Sequence, residues 1–136
     1  PSTGPGACNG GTQCAATVLD GNYPGNDSYL RSPSILLPTI NLGNQLLHLR
    51  FWHWFSIQGN DNMRLEIRTE ASPGVWNAWQ VLDTYTGSSS IWSQPLVDIS
   101  SFSGQKVQIG FFMNYGGGTT APGWYADDVT IDIFNF

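Results

Sequence analysis

"NQLLHLRFWHWFSI", residues Asn44–Ile57, alternates with a period of two along almost its whole length. Leu47, Leu49, Phe51, Phe55 and Ile57 fall on one side, and His48, Arg50, Trp52, Trp54 and Ser56 on the other. Successive side chains of an extended chain point to opposite faces, so the pattern predicts a long strand with one apolar face. His53 has the parity of the apolar face and reads as a hydrogen-bonded structural histidine. Downstream, Gly59–Asn62 reads as a hairpin turn. Met63–Glu70 then alternates again, with Met63, Leu65 and Ile67 inward and Arg64, Glu66 and Arg68 outward.

The rest of the chain repeats this style in shorter pieces. Ala16–Tyr23, Ser28–Pro38, Asn77–Gly87, Trp92–Ser100, Gln105–Tyr115 and the closing "WYADDVTIDIFNF" each read as a strand bounded by Gly, Pro, Asn or Ser. Pro33 inside the second segment suits an edge or a kink. No window places apolar residues at helical spacing. Roughly seven to nine short strands without helices predict an all-β fold, an antiparallel β-sandwich or jelly roll.

The 136 residues suit one domain. Residues 1–7 read as the tail of a linker and residues 8–136 as a single β-sandwich. Charged residues are 11% of the chain, well under the usual quarter or so. That low charge, with 16 glycines, fits a secreted or cell-surface β protein. The net charge of −5 and the lack of a basic stripe exclude nucleic acid as a partner. No apolar run reaches the ~18 residues of a membrane span, which argues against membrane insertion. Cys8 and Cys14 enclose "NGGTQ". They read as a local disulfide, which requires an oxidising compartment, or alternatively as two free thiols.

The ordered segments "CAATVLDGNY", "SYLRSPSILL", "LHLRFWHWFSIQGNDNMRLEIRTE", "VDISSFSGQKVQIGFFM" and "GWYADDVTI" resemble the MAM-like and immune-inhibitor-A-like jelly-roll accessory domains of secreted bacterial proteins. The closing "WYADDV" is also similar to the last strand of several jelly-roll carbohydrate-binding modules. The resemblance covers nearly the whole chain and implies a non-catalytic extracellular domain, often with bound calcium. The chain departs from the peptidase-linked pattern after "FWHWF", where an acidic residue is common and this chain has Ser56–Ile57. A glycine commonly follows the turn aspartate there, and this chain has Asp61–Asn62. A calcium ligand supplied by that acid is missing.

Asp127 and Asp128 stand at the mouth of the last strand. Parity with Val129, Ile131 and Ile133 predicts that Asp127 points inward, where a carboxylate needs pairing, hydrogen bonds or a metal. Calcium takes several hard oxygen ligands, and Asp20, Asn22, Asn26, Asp27 and Ser28 of the first loop could complete a site with Asp127 and Asp128. Alternatively, Asp127 accepts backbone N–H bonds in a turn and Asp128 is solvated. Trp52 and Trp54, flanked by His48 and Arg50 and joined by Trp124 from a loop, form a candidate stacking platform for carbohydrate or a cell-surface polymer. The alternative is that these rings cap the sandwich core. No nucleophile–base spacing or paired catalytic carboxylates are found, so no enzymatic activity is expected. Two functions follow. One is a calcium-stabilised carbohydrate-binding module; the other is an accessory domain that contacts neighbouring domains of a larger secreted peptidase or cell-surface protein.

Overall fold

A computed structural model describes residues 3–136; Pro1 and Ser2 lie outside the described residues. The strands are β1 (Ala15–Ala16), β2 (Ser28–Arg31), β3 (Ile35–Leu36), β4 (Gln45–Ser56), β5 (Asn62–Ser72), β6 (Val75–Trp76), β7 (Gln80–Tyr85), β8 (Leu96–Asp98), β9 (Lys106–Asn114) and β10 (Gly123–Asn135). The helical content of the described residues is one 3-10 turn, Ser100–Phe102. A four-stranded sheet has the order β1-β10-β4-β8, and a six-stranded sheet is built on β2-β9-β5-β6 with β3 on β9 and β7 on β5. All pairings are antiparallel. The result is the jelly-roll-like β-sandwich that the alternation predicts.

The core lies where the two inner faces meet. Leu47, Leu49 and Phe51 of β4 oppose Met63, Leu65 and Ile67 of β5, and all six are fully buried. Burying each such side chain contributes about 1.5–3 kcal/mol. His53 follows β4 parity into this core, and Trp124 Nε1 donates a hydrogen bond to its Nδ1 at 3.2 Å. Burial lowers the His53 pKa to about 4, so the ring is neutral at physiological pH.

The last strand departs from simple parity. Tyr125 pairs with Trp54 and Asp127 with Trp52, while Thr130 pairs with Arg50; the register shifts between Asp127 and Thr130. Two residues, Asp128 and Val129, therefore oppose the single Phe51, which is a β-bulge. Asp128 sits at φ 49°, a left-handed conformation that aspartate tolerates better than most residues. Trp124 and Ala126 face the core before the bulge, and Ile131 faces it afterwards. The inward position expected for Asp127 is thus corrected: Asp127 shares the outer face with Trp52.

A buried carboxylate ties three loops together. Asp61, in the turn between β4 and β5, is 2% exposed. Its Oδ1 accepts from the Gly116 N–H at 2.7 Å, and its Oδ2 accepts from the Tyr23 hydroxyl. The Tyr23 oxygen in turn accepts from the Gln58 N–H at 3.1 Å. Gly116 is required there, because a Cβ would collide with the Asn60 carbonyl. Every polar atom of this cluster has a partner, as burial demands.

Burial, and then the hydrogen bond to Asp61, pushes the Tyr23 pKa up to about 12. A raised tyrosine pKa gives stability that is complete below the unfolded value and is lost as pH rises through the folded one. The lowered His53 pKa works in the opposite sense: its stability is present above about 6.5 and lost on falling toward 4. Unfolding by urea across pH should therefore show a plateau between about 6.5 and 10, with losses on both flanks. Tyr23→Phe should lower the plateau by about 1–3 kcal/mol, since it leaves Asp61 short of a donor, and should make the alkaline flank shallower, the remaining loss coming from the raised Tyr29 and Tyr85.

Candidate functional site

The outer face of the six-stranded sheet gathers arginines and aromatic rings. On β5 the outward positions are Arg64, Glu66 and Arg68, and their partners on β9 are Phe112, Gly110 and Gln108. Strand β2 adds Tyr29 beside Phe112 and Arg31 beside Gly110. The loop between β6 and β7 adds Trp79. The Arg31 guanidinium lies 4.7 Å from the Tyr29 ring centre, Arg64 5.3 Å from Phe112, and Arg68 4.9 Å from Trp76 and 4.7 Å from Trp79. Tyr29 and Trp79 pack with centroids 5.2 Å apart.

Gly110 is what lets those two rings lie down on the sheet. A Cβ there would sit 2.6 Å from Tyr29 Cε1 and 3.0 Å from the Trp79 ring. Beneath them Glu66 is buried and accepts a hydrogen bond from the Tyr29 hydroxyl. Burial and this bond push the Tyr29 pKa upward. Gln108 Oε1 accepts from Arg68 Nε at 2.9 Å and from Nη2 at 2.6 Å, and Asn62 Oδ1 accepts from Arg64 Nε at 3.1 Å. Amides thus hold two of the guanidiniums in place. Among the described residues, none of Arg31, Arg64 and Arg68 has a carboxylate within salt-bridge distance; the two ion pairs are Arg50–Asp132 and Lys106–Glu70. Sequence alternation placed Arg64 and Arg68 outward, but it carried no signal for the distant residues that complete this face.

The face expected to stack sugars carries contacts of its own. His48, Arg50, Trp52 and Trp54 do share the outer side of β4. Arg50 Nη2 is 2.5 Å from Asp132 Oδ2, and His48 stacks on Phe134 at 5.9 Å. Trp54 meets the edge of Tyr125 at 5.7 Å. The N-terminal segment lies across this side. Thr3 Oγ1 accepts from Gly21 N at 3.0 Å and bonds the Tyr125 hydroxyl at 3.1 Å, and Trp92 Nε1 donates to the Ala7 carbonyl at 3.3 Å. Residues 3–7, read as a linker tail, are therefore seated on the sandwich. The Cys8–Cys14 disulfide closes the loop that follows. Trp124 is not part of this face: it is 4% exposed and belongs to the core.

The residues expected to bind calcium do not converge. Asp127 Oδ2 accepts from the Gly10 N–H at 3.1 Å, and its Oδ1 accepts from the Asp128 N–H at 2.9 Å. Asp128 is exposed. Asp27 Oδ1 caps the Tyr115 N–H at 2.8 Å, at the end of β9, and Asn26 Nδ2 donates to the Asp27 carbonyl at 3.2 Å. Asp20 is exposed in the first loop. Among the described residues, no group of three or more His, Cys, Asp or Glu could hold a metal ion. Asp127 accepts from two backbone N–H groups, the alternative the sequence offered for it.

Fold and surface together define a β-sandwich module whose distinctive chemistry lies on its outer faces. No family model matches the chain, so the MAM-like family suggested by the sequence is not shown. Over 132 residues, 96% of its length, the chain is 28% identical to Bacillopeptidase F of Bacillus subtilis (strain 168), of which it spans 9%. Among solved structures it is similar to that of infectious bursal disease virus Gx strain, with a TM-score of 0.55, 12% identity and coverage of 85% of this chain and 28% of that one. The structure of the Gt strain gives a TM-score of 0.54 at 10% identity, covering 90% of this chain and 32% of that one. At such identities the viral structures show the fold alone.

Melting curves recorded with calcium chloride and with EDTA should coincide. Asp127→Ala should cost about 0.5–1.5 kcal/mol in either buffer, the worth of a hydrogen bond to Gly10. Thermal denaturation followed by circular dichroism checks both.

Proposed function

We propose that this chain is a non-catalytic accessory module of a larger secreted protein, and that it holds acidic carbohydrate on the arginine–aromatic face of the six-stranded sheet. One observation carries the reading. In a chain of net charge −5, three of the four arginines lie on one face, stacked on aromatic rings and without carboxylate partners among the described residues. A guanidinium that is already oriented and not ion-paired suits a carboxylate or sulfate on a sugar. The partly exposed rings of Trp76, Trp79 and Phe112 supply apolar surface for a pyranose face. The disulfide agrees with an oxidising compartment, and the similarity to a segment of Bacillopeptidase F agrees with a place inside a longer protein.

The β4 face is a weaker platform for sugar because Arg50 and His48 are engaged within the chain. Binding consists of ion pairing and stacking, and no bond is made or broken. A second reading, docking on a neighbouring domain of the parent protein, draws on the small share of Bacillopeptidase F that the chain spans.

Affinity electrophoresis separates these readings. Gels containing polygalacturonate should retard the protein at low salt, and gels containing neutral dextran should not. Retardation should fall as salt screens the charges. The Arg31→Ala/Arg68→Ala double variant should bind roughly tenfold or more weakly, given the strength of charged hydrogen bonds, whereas Trp52→Ala should match wild type. Equal retardation of the double variant, or none of wild type, would sink the carbohydrate reading.

A further inference from the structure

Strand β10 has a bare edge. On one side it pairs with β4 along its whole length. On the other it pairs with β1 at Tyr125 and Ala126 only, and among the described residues no strand continues beyond the bulge. The Ile99 N–H donates to the Leu47 carbonyl, so the inward residues of β4 turn their backbone groups toward β8. By the alternation of an antiparallel ladder, Ile131 and Ile133, which face Leu49 and Leu47, turn theirs to the open side.

Alongside this edge the sandwich is unfilled. A slot of about 370 Å³ opens between the sheets, lined by Leu30, Ile35, Leu49, Phe111, Val129 and Ile131, with Arg31 also at its wall. Its size is at the low end of the range for binding sites. The side chains around it are exposed to a degree unusual for a core-facing row: Leu30 49%, Val129 49% and Ile133 43%. A smaller cavity of about 160 Å³ continues the gap beneath β1. The missing neighbour would have to satisfy backbone donors and acceptors on one side and fill an apolar slot on the other.

We propose that this edge and slot receive an extended segment of another polypeptide, added antiparallel to β10 as a further strand. Backbone pairing with Ile131 and Ile133 supplies the affinity, and alternate apolar side chains of the segment fill the slot. A second copy of this chain fits less well. Its own β10 is already bound to β4, so it could extend the sheet but could not enter the slot. The bulge and Asp128 guard only the start of the edge. The outward Asp132 is paired with Arg50 and leaves the slot open.

Amide exchange measured by nuclear magnetic resonance tests this directly. The probe is a short peptide alternating valine with threonine, with a second version N-methylated along its pairing edge. The first peptide should slow exchange at Ile131 and Ile133 by about tenfold or more at saturation, and the methylated version should leave it unchanged. Unchanged exchange with the first peptide, or equal binding of the methylated one, would overturn the proposal. Concentration-dependent slowing without peptide, with a doubling of mass, would also overturn it in favour of self-pairing.

Discussion

Between Asp127 and Thr130 the last strand carries one residue more than its partner, and both faces of the four-stranded sheet depend on it. Before the bulge the inward residues are Trp124 and Ala126; after it they are Ile131 and Ile133. Side chains alternate with a period of two, so an unbroken strand would turn one of these pairs to solvent. The bulge lets both ends of β10 feed the core: Trp124 reaches His53, and Ile131 packs with Leu49. Ahead of the bulge, Asp127 alternates with the inward Ala126 and so points outward. There the Gly10 N–H meets it, which seats the disulfide loop on the sheet. The bulge also marks where β1 stops and the bare edge begins.

That device explains which parts of the molecule could be read from the sequence. Alternation in Asn44–Ile57 and Met63–Glu70 located two of the three longest strands, β4 and β5, and gave their inward residues correctly. His53 followed its parity into the core. Alternation failed in "WYADDVTIDI" because it presumes an uninterrupted strand. An extra residue shifts every side chain beyond it, and the adjacent aspartates were a local hint of a left-handed position. The inward direction of Asp127 was read from that unbroken parity and fell with it.

Other features were hidden for a different reason. Asp61 reads as an ordinary turn residue; its weight comes from Tyr23 and Gly116, far away in sequence. Arg64 and Arg68 were visibly outward, yet Tyr29, Trp79 and Phe112 reach them through the β2–β9–β5 pairing and the loop after β6. Gly110 gave no sign that two rings would close over it. Long-range register, not residue type, creates the face.

The sandwich thus presents three different surfaces. The outer side of β4 and β10 meets the N-terminal segment at Tyr125 and Asp127 and pairs Arg50 with Asp132. The flank beside β10 is apolar and open. The outer side of β5 and β9 holds oriented positive charge in an otherwise acidic molecule, and the functional reading stands on it. The most direct measurement is a titration of the isotope-labelled protein with oligogalacturonate, monitored at the indole and guanidinium N–H signals. Shifts confined to Trp76, Trp79, Arg31, Arg64 and Arg68 are expected. Shifts centred on Trp52 and Trp54, or no shift at any indole, would contradict it.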